Sequence, residues 1–333
     1  MPLNVAKAKT VLVTGATGFI ASWVQQLLAV AGHRVIGTSR YEFRPESLFV
    51  LCDAVPPLDR ADVRDIDSLR PVFERHKPDV VIHLDAYVNP VALEDDPLRA
   101  LDYNFMGTVN ALELCRDFGV ERMVFASSIA VLPTIRYEPI DAAHPIITAI
   151  EGPGGGFYGA AKAAAEILGM TYAQAFGLDF RAIRASAVYG FGMQWPIGIK
   201  PVVEGLARGE AVQVAGEAPK RDYTPVQDVA AIFAACVDAA SDTDRVFYAG
   251  TGRALTTSAD LMREVRTAFP KGDVTMSDES LDPTGIESRY RGVLEMAPVR
   301  TQLGVETAFD SLAHGMLEYA EQYLRFLASP LSK

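Results

Sequence analysis

Tyr158 and Lys162 stand four residues apart, which on a helix places both side chains on one face. A phenol titrates at about 10 and is a poor base at neutral pH, but a lysine ammonium within a few ångströms favours the phenolate. Ser128 closes an apolar run, where its hydroxyl can donate to an oxygen that gains charge during reaction. A serine that orients, a tyrosine that exchanges the proton and a lysine that tunes it and reaches a ribose form a set suited to hydride chemistry. Taken alone, Tyr-x-x-x-Lys is equally a pair of surface residues on any helix. The glycine-rich run Gly152-Pro153-Gly154-Gly155-Gly156 before it and a phosphate motif far upstream give the pair its meaning.

That upstream motif is Thr14-Gly15-Ala16-Thr17-Gly18-Phe19-Ile20-Ala21, directly after the β-branched run Thr10-Val11-Leu12-Val13. Strand, glycine turn and helix in this order leave backbone N–H groups and the positive end of a helix dipole facing a pyrophosphate. An ordinary strand-to-helix turn is the alternative for an isolated glycine pair. Here a helix of suitable length (Trp23, Val24, Leu27, Leu28) and a second strand, Arg34 to Thr38, complete a βαβ unit.

The elements that must position these groups alternate regularly. A helix from Ile66 to His76, a strand at Val80 to Leu84, a helix around Leu98 to Phe118, a strand at Arg122 to Ala126, a helix from Tyr158 to Phe176 and a strand at Phe180 to Ile183 follow in turn. Such alternation predicts an α/β chain with a Rossmann-type doubly wound parallel sheet and ligands at the carboxyl ends of its strands. The division expected is a dinucleotide-binding domain over 1–185 and a smaller substrate-binding lobe over 186–333, with elements from 225–250 returning to the sheet. Further elements are expected at Ile199 to Arg208, Val212 to Val214, Val226 to Ala239 and Val246 to Tyr248.

Composition restricts the partners. Of 333 residues, 49% are hydrophobic, and 31 basic against 42 acidic side chains leave a net charge of −11. A substantial core is implied, and nucleic acid and anionic membranes are excluded as main partners. Any anionic ligand must be held by local groups. Cys52, Cys115 and Cys236 are scattered and odd in number, which speaks for buried thiols and against a disulfide framework or a metal site. With no membrane-length apolar run and no signal-type N-terminus, a cytoplasmic protein is expected.

The ordered set Thr14-Gly15-x-x-Gly18-Phe19-Ile20, Asp62-Val63-Arg64-Asp65, His83-Leu84, Asn104 with Gly107-Thr108, Ser127-Ser128, Tyr158-x-x-x-Lys162, Val188-Tyr189-Gly190 and Arg221-Asp222-Tyr223 resembles the extended short-chain dehydrogenases/reductases, in particular the NAD-dependent epimerase/dehydratase family. The likeness spans nearly the whole chain. It implies Ser128, Tyr158 and Lys162 as the catalytic set. It implies cofactor contacts from Gly15, Thr17, Gly18, Phe19, Ile20, Ser39, Arg40, Asp62, Val63, Leu84, Asp85, Ala86 and Asn104, besides Tyr158 and Lys162. Asp62 and Val63 would meet the adenine. Family members commonly pair through the Asn104 and Tyr158 helices, so a homodimer is expected.

Departures from the family pattern narrow the expectation. Ser39 stands where members that prefer NAD carry an acidic residue, and Arg40 follows, so NADP is expected ahead of NAD, with Arg40 pointing to solvent or stacking on adenine as the alternative. Ile129-Ala130 replaces the Asp-Glu that dehydratases place after the catalytic hydroxyl, which speaks against dehydration. Ala187 replaces the asparagine common in nucleotide-sugar epimerases. Gly285 and Ser288 fall where an arginine and a carboxylate grip the uridine diphosphate, with Arg289 and Arg291 close by. Asp85 replaces a small residue near the nicotinamide ribose, and His83 is expected to be structural. Ser128, Met193, Trp195 and Arg221 are the candidate substrate contacts. The leading expectation is an oxidoreductase exchanging a hydride between the nicotinamide and a carbinol or ketone of a small polar or sugar-like substrate. A nucleotide-sugar epimerase with retained cofactor and a non-catalytic NADP-sensing protein are the alternatives.

Overall fold

The structure, a computed structural model, describes residues 7–148, 155–195, 198–280 and 292–330. In chain order the elements are β1 (Thr10–Thr14), α1 (Phe19–Val30), β2 (Arg34–Ser39), β3 (Leu58–Arg60), α2 (Ile66–His76) and β4 (Val80–His83). The short helices α3 (Pro90–Asp95) and α4 (Pro97–Ala100) follow, then a π-helical segment, Leu101–Met106, that runs into α5 (Gly107–Asp117). Next come β5 (Arg122–Ser128), α6 (Gly156–Phe176), β6 (Asp179–Ala185), β7 (Ala187–Tyr189), α7 (Ile199–Ala207), β8 (Val212–Glu217), β9 (Tyr223–Pro225) and α8 (Val226–Asp238). The chain continues through β10 (Val246–Ala249), α9 (Ser258–Ala268), β11 (Val274–Ser280), α10 (Ala297–Leu303) and α11 (Leu312–Leu327).

Seven strands form one sheet in the order β10-β6-β5-β4-β1-β2-β3, every pairing parallel. The apolar runs that build β1, β4 and β5 are buried on both faces, as a sheet covered by helices on each side demands. One face packs Val11, Val13, Val24, Leu28, Val229 and Phe233. The other packs Leu12, Phe73, Leu112, Phe125 and Phe180. The strand order reverses between β1 and β4, which opens the crevice where such sheets bind ligands.

Beyond the main sheet, a third region of the structure packs Tyr189, Phe191, Val203, Met316, Tyr319 and Phe326 together. It holds the two-stranded sheets β11-β8 and β7-β9. The long helix expected over 98–118 is instead α4, the π segment and α5, and β3, β7, β9 and β11 add strands that periodicity did not announce. β10 pairs with β6, Val246 opposite Ala182, so residues beyond 225 complete the main sheet.

Candidate active site

The crevice begins at the turn after β1. Gly15 has φ +63°, and a Cβ there would stand 2.7 Å from the Asp85 backbone. Only glycine lets the two strand exits lie this close. Gly18 begins α1 with no side-chain cap, so the first-turn N–H groups stay available to an anion. Gln25 in α1 donates to the Ala16 carbonyl at 2.8 Å and holds the turn in place.

A cavity of about 360 Å³ opens from this turn and gathers Gly15, Gly18, Phe19, Ile20, Leu84, Ala86, Ser128, Tyr158, Lys162, Met193, Trp195 and Arg221 on its walls. Ser128 ends β5, and its Oγ accepts from the Ala130 N–H at 3.2 Å, leaving the hydroxyl proton to donate. Lys162, on α6, is fully buried. Its Nζ donates to the Ala126 carbonyl at 2.8 Å and lies 4.7 Å above the Phe125 ring centroid. The same nitrogen is 5.9 Å from the Tyr158 ring centroid, so lysine and phenol share one face as the spacing predicted. Burial pushes the Lys162 ammonium down to about 8, against an opposing pull from Asp85. Below it, His83 is hydrogen-bonded between Thr14 (2.9 Å) and Thr108 (3.2 Å). Burial, then the Lys162 charge, push His83 down to about 3, which keeps it neutral and structural.

The carboxyl end of β2 carries an arrangement the sequence did not reveal. Thr17 and Ser39 hydroxyls are 2.9 Å apart, and the Tyr41 N–H donates to Ser39 at 3.2 Å. Arg64 grips Asp62 through Nε (3.1 Å) and Nη2 (2.7 Å) and reaches Asp102 at 3.0 Å. Arg40 stands 3.6 Å from the same Asp62 carboxylate. Both guanidiniums lie over the Tyr103 ring, Arg40 at 4.8 Å and Arg64 at 4.2 Å. Burial would raise the Asp62 carboxyl, but the Arg64 hydrogen bonds and the two cations bring it below its ordinary value. Arg40 is therefore engaged by Asp62 and aromatic rings, rather than standing unopposed.

Other candidates are not among the residues lining this cavity. Val63 is buried against Gly107, and its carbonyl accepts from Asn110 at 2.8 Å. Asn104 is fully buried, accepting from the Tyr87 N–H (2.8 Å) and donating to the Tyr87 carbonyl (3.0 Å). It braces the loop after β4, outside the residues that line the cavity. Burial raises the Asp85 carboxyl, partly offset by Arg40 and Lys162.

One further group was invisible to spacing. Glu166, on α6 one turn beyond Lys162, forms a buried two-pronged pair with Arg184 of β6 at 3.0 and 2.7 Å. Arg184 also donates to the Tyr248 hydroxyl on β10, which donates to the Asp141 carbonyl, each at 3.0 Å. The neighbouring Ile140 pairs with Val293 and Glu295, so this chain of contacts runs from the tyrosine helix to the segment before α10, whose Leu294 packs in the main core.

Ala187, Val188, Val88 and Ile199 also line the cavity, beside Met193 and Trp195. Arg221 is held by a backbone bridge to Thr256. Gly285, Ser288, Arg289 and Arg291 lie outside the described residues. Cys115 and Cys236 are buried as expected, whereas Cys52 is half-buried. Among the described residues there is no cluster fit to hold a metal ion and no helix long and apolar enough to cross a membrane.

Comparison with known proteins gives one consistent result. Residues 11–250 match the model of the NAD dependent epimerase/dehydratase family. A UDP-glucose 4-epimerase of Mycolicibacterium smegmatis is 31% identical over 93% of this chain and 97% of its own length. A UDP-glucuronate 4-epimerase of Thermodesulfobacterium geofontis is 28% identical over 66% of this chain and 68% of its own. Among solved structures, the Thermus thermophilus UDP-glucose 4-epimerase in complex with NAD superposes with a TM-score of 0.73 at 26% identity, covering 95% of this chain and 99% of that one.

Proposed function

The chain belongs to the NAD dependent epimerase/dehydratase family, and from that premise we propose that it is a nucleotide-sugar epimerase acting at a hydroxyl-bearing carbon. The observation that supports this most is the full-length likeness to a UDP-glucose 4-epimerase, together with Ser128, Tyr158 and Lys162 on one cavity. The relatives reverse the order expected from sequence, which put net oxidoreduction first.

The glycine turn fits a dinucleotide pyrophosphate: a Cβ at Gly15 would fill the cradle, and the α1 N-terminus is uncapped. The bound nicotinamide supplies the hydride acceptor and donor. Tyr158 takes the proton of the substrate hydroxyl and returns it. Ser128 donates to the same oxygen and holds it against the phenol. Lys162 supplies positive charge on the Tyr158 face and a donor for the cofactor ribose. β2 carries no acidic residue and ends in the Ser39 hydroxyl, which supports NADP, while the engagement of Arg40 and Arg64 by Asp62 and the family description support NAD.

Net oxidoreduction is the second reading, favoured by Ala187 on the cavity wall, where nucleotide-sugar epimerases commonly carry an asparagine. The two readings part in one assay. The protein is given NAD or NADP with nucleotide sugars, polyols and sugar acids, while reduced nicotinamide and the configuration of the recovered sugar are followed. Inversion without net reduction is expected; steady accumulation of reduced cofactor would displace the epimerase reading. Tyr158→Phe should lose at least about 100-fold in turnover with cofactor binding retained.

A homodimer is also proposed. Phe157 and Ile167 on α6 and Leu98 and Leu101 before α5 are exposed on neighbouring helices, an apolar surface that a second copy would cover.

A further inference from the structure

After Ser39 the chain leaves the sheet and returns only at Leu58. This strap is well anchored. Its 3₁₀ turn, Leu48–Leu51, is capped by Ser47, and Leu48 and Phe49 are buried. Phe43 packs edge-on to Phe49 with centroids 4.9 Å apart. Val50 and Leu51 pack into the third region beside Tyr189 and Phe191. Glu46 reaches Lys200 of α7 at 3.5 Å. The strap thus belongs to the cofactor domain by sequence and is fastened to that region.

Between its anchors the strap passes the glycine turn. A groove of about 690 Å³ there is bounded by Thr17, Gly18, Arg44, Ser47, Gln194 and Tyr323, among others. Arg44 is exposed, and its guanidinium makes no ion pair or hydrogen bond among the described residues. Of the other charges nearby, Arg40 and Arg64 are matched by Asp62 and Asp102, while Glu46, also on the groove wall, shares Lys200 with Glu204. In a chain of net charge −11, an anion at the α1 N-terminus needs a local cation, and Arg44 is an unmatched one on the facing wall.

We propose that Arg44 is a cofactor phosphate-binding residue, carried on the strap so that its guanidinium pairs with a phosphate of the bound dinucleotide across the groove from Gly18. This rests on the dinucleotide reading given above. The phosphate chemistry has two sources, the pyrophosphate common to both cofactors and the 2′-phosphate of NADP.

The test titrates the full-length protein, its Arg44→Ala and Arg44→Lys variants, and Arg40→Ala as a comparison, with NADH and NADPH, following nicotinamide fluorescence at low and high salt. Arg44→Ala should weaken binding about ten-fold at low salt and less at high salt, with Lys recovering part of the loss. A loss confined to NADPH assigns the 2′-phosphate, and an equal loss for both assigns the pyrophosphate; either supports the proposal. Unchanged affinity for both in Arg44→Ala overturns it while leaving the dinucleotide reading intact. Failure of the parent to bind either cofactor would overturn both. Because Arg44 is exposed, its melting temperature should stay that of the parent, which separates ligand loss from misfolding.

Discussion

Lys162 joins two demands that pull in opposite directions with pH. The proposed mechanism needs its ammonium beside Tyr158, yet burial lowers it from an ordinary 10.5 to about 8. As pH rises through about 8 the folded protein releases this proton, while the unfolded chain keeps it until about 10.5. The unfolded state then binds more protons, so this residue adds stability with rising pH, while activity that needs the charge declines. Turnover should therefore show an alkaline limb near pH 8 with no accompanying loss of stability from this residue. Lys162→Met should flatten the rise in urea-unfolding stability over that window, by an amount on the order of 3 kcal/mol at most. A parent whose stability falls steadily across the window at this residue's expense would contradict the assignment.

Elements bring these side chains together by close approach. Gly155 and Gly159 lie at the start of α6, and a Cβ at Gly159 would come within 2.2 Å of the Ala130 carbonyl. The helix that carries Tyr158 can rest on the 3₁₀ turn Ile129–Val131, directly after Ser128, only because that position has no side chain. Gly159→Ala should push the helix outward, costing about 1–3 kcal/mol and reducing turnover well beyond what the stability loss explains. Thermal melting and kinetics on the same preparation would check both. This contact was not legible in the sequence, although the glycine run was. The strands were legible where they are buried on both faces, as with Val80-Val81-Ile82 and Arg122 to Ala126, because apolar runs need no partner to be recognised. Three-residue strands such as Leu58–Arg60, with exposed and charged members, left no such mark. Tyr158 and Lys162 were legible because helical spacing joins them. Glu166 and Arg184, or Arg40 and Arg64, meet only through the fold, and no spacing rule pairs them.

The whole molecule has an apolar face left uncovered in a strongly acidic chain. Leu98 is 74% exposed and Ile167 is 60% exposed. Light scattering after gel filtration should find a dimer for the parent and a monomer for Ile167→Glu; a parent that is monomeric at micromolar concentration would remove the proposed interface. Another consequence reaches back to how the chain is made. The sheet is not finished when the first six of its strands have emerged, because β6 waits for β10, which arrives only after the whole of β7 to α8. Until Val246 to Ala249 are synthesised, the backbone groups of Ala182 to Ala185 face outward as an open strand edge. Such an edge invites pairing with another nascent chain. A fragment cut at 185 would keep that edge for good, so the main sheet becomes a sound folding unit only once the chain has been translated through Ala249.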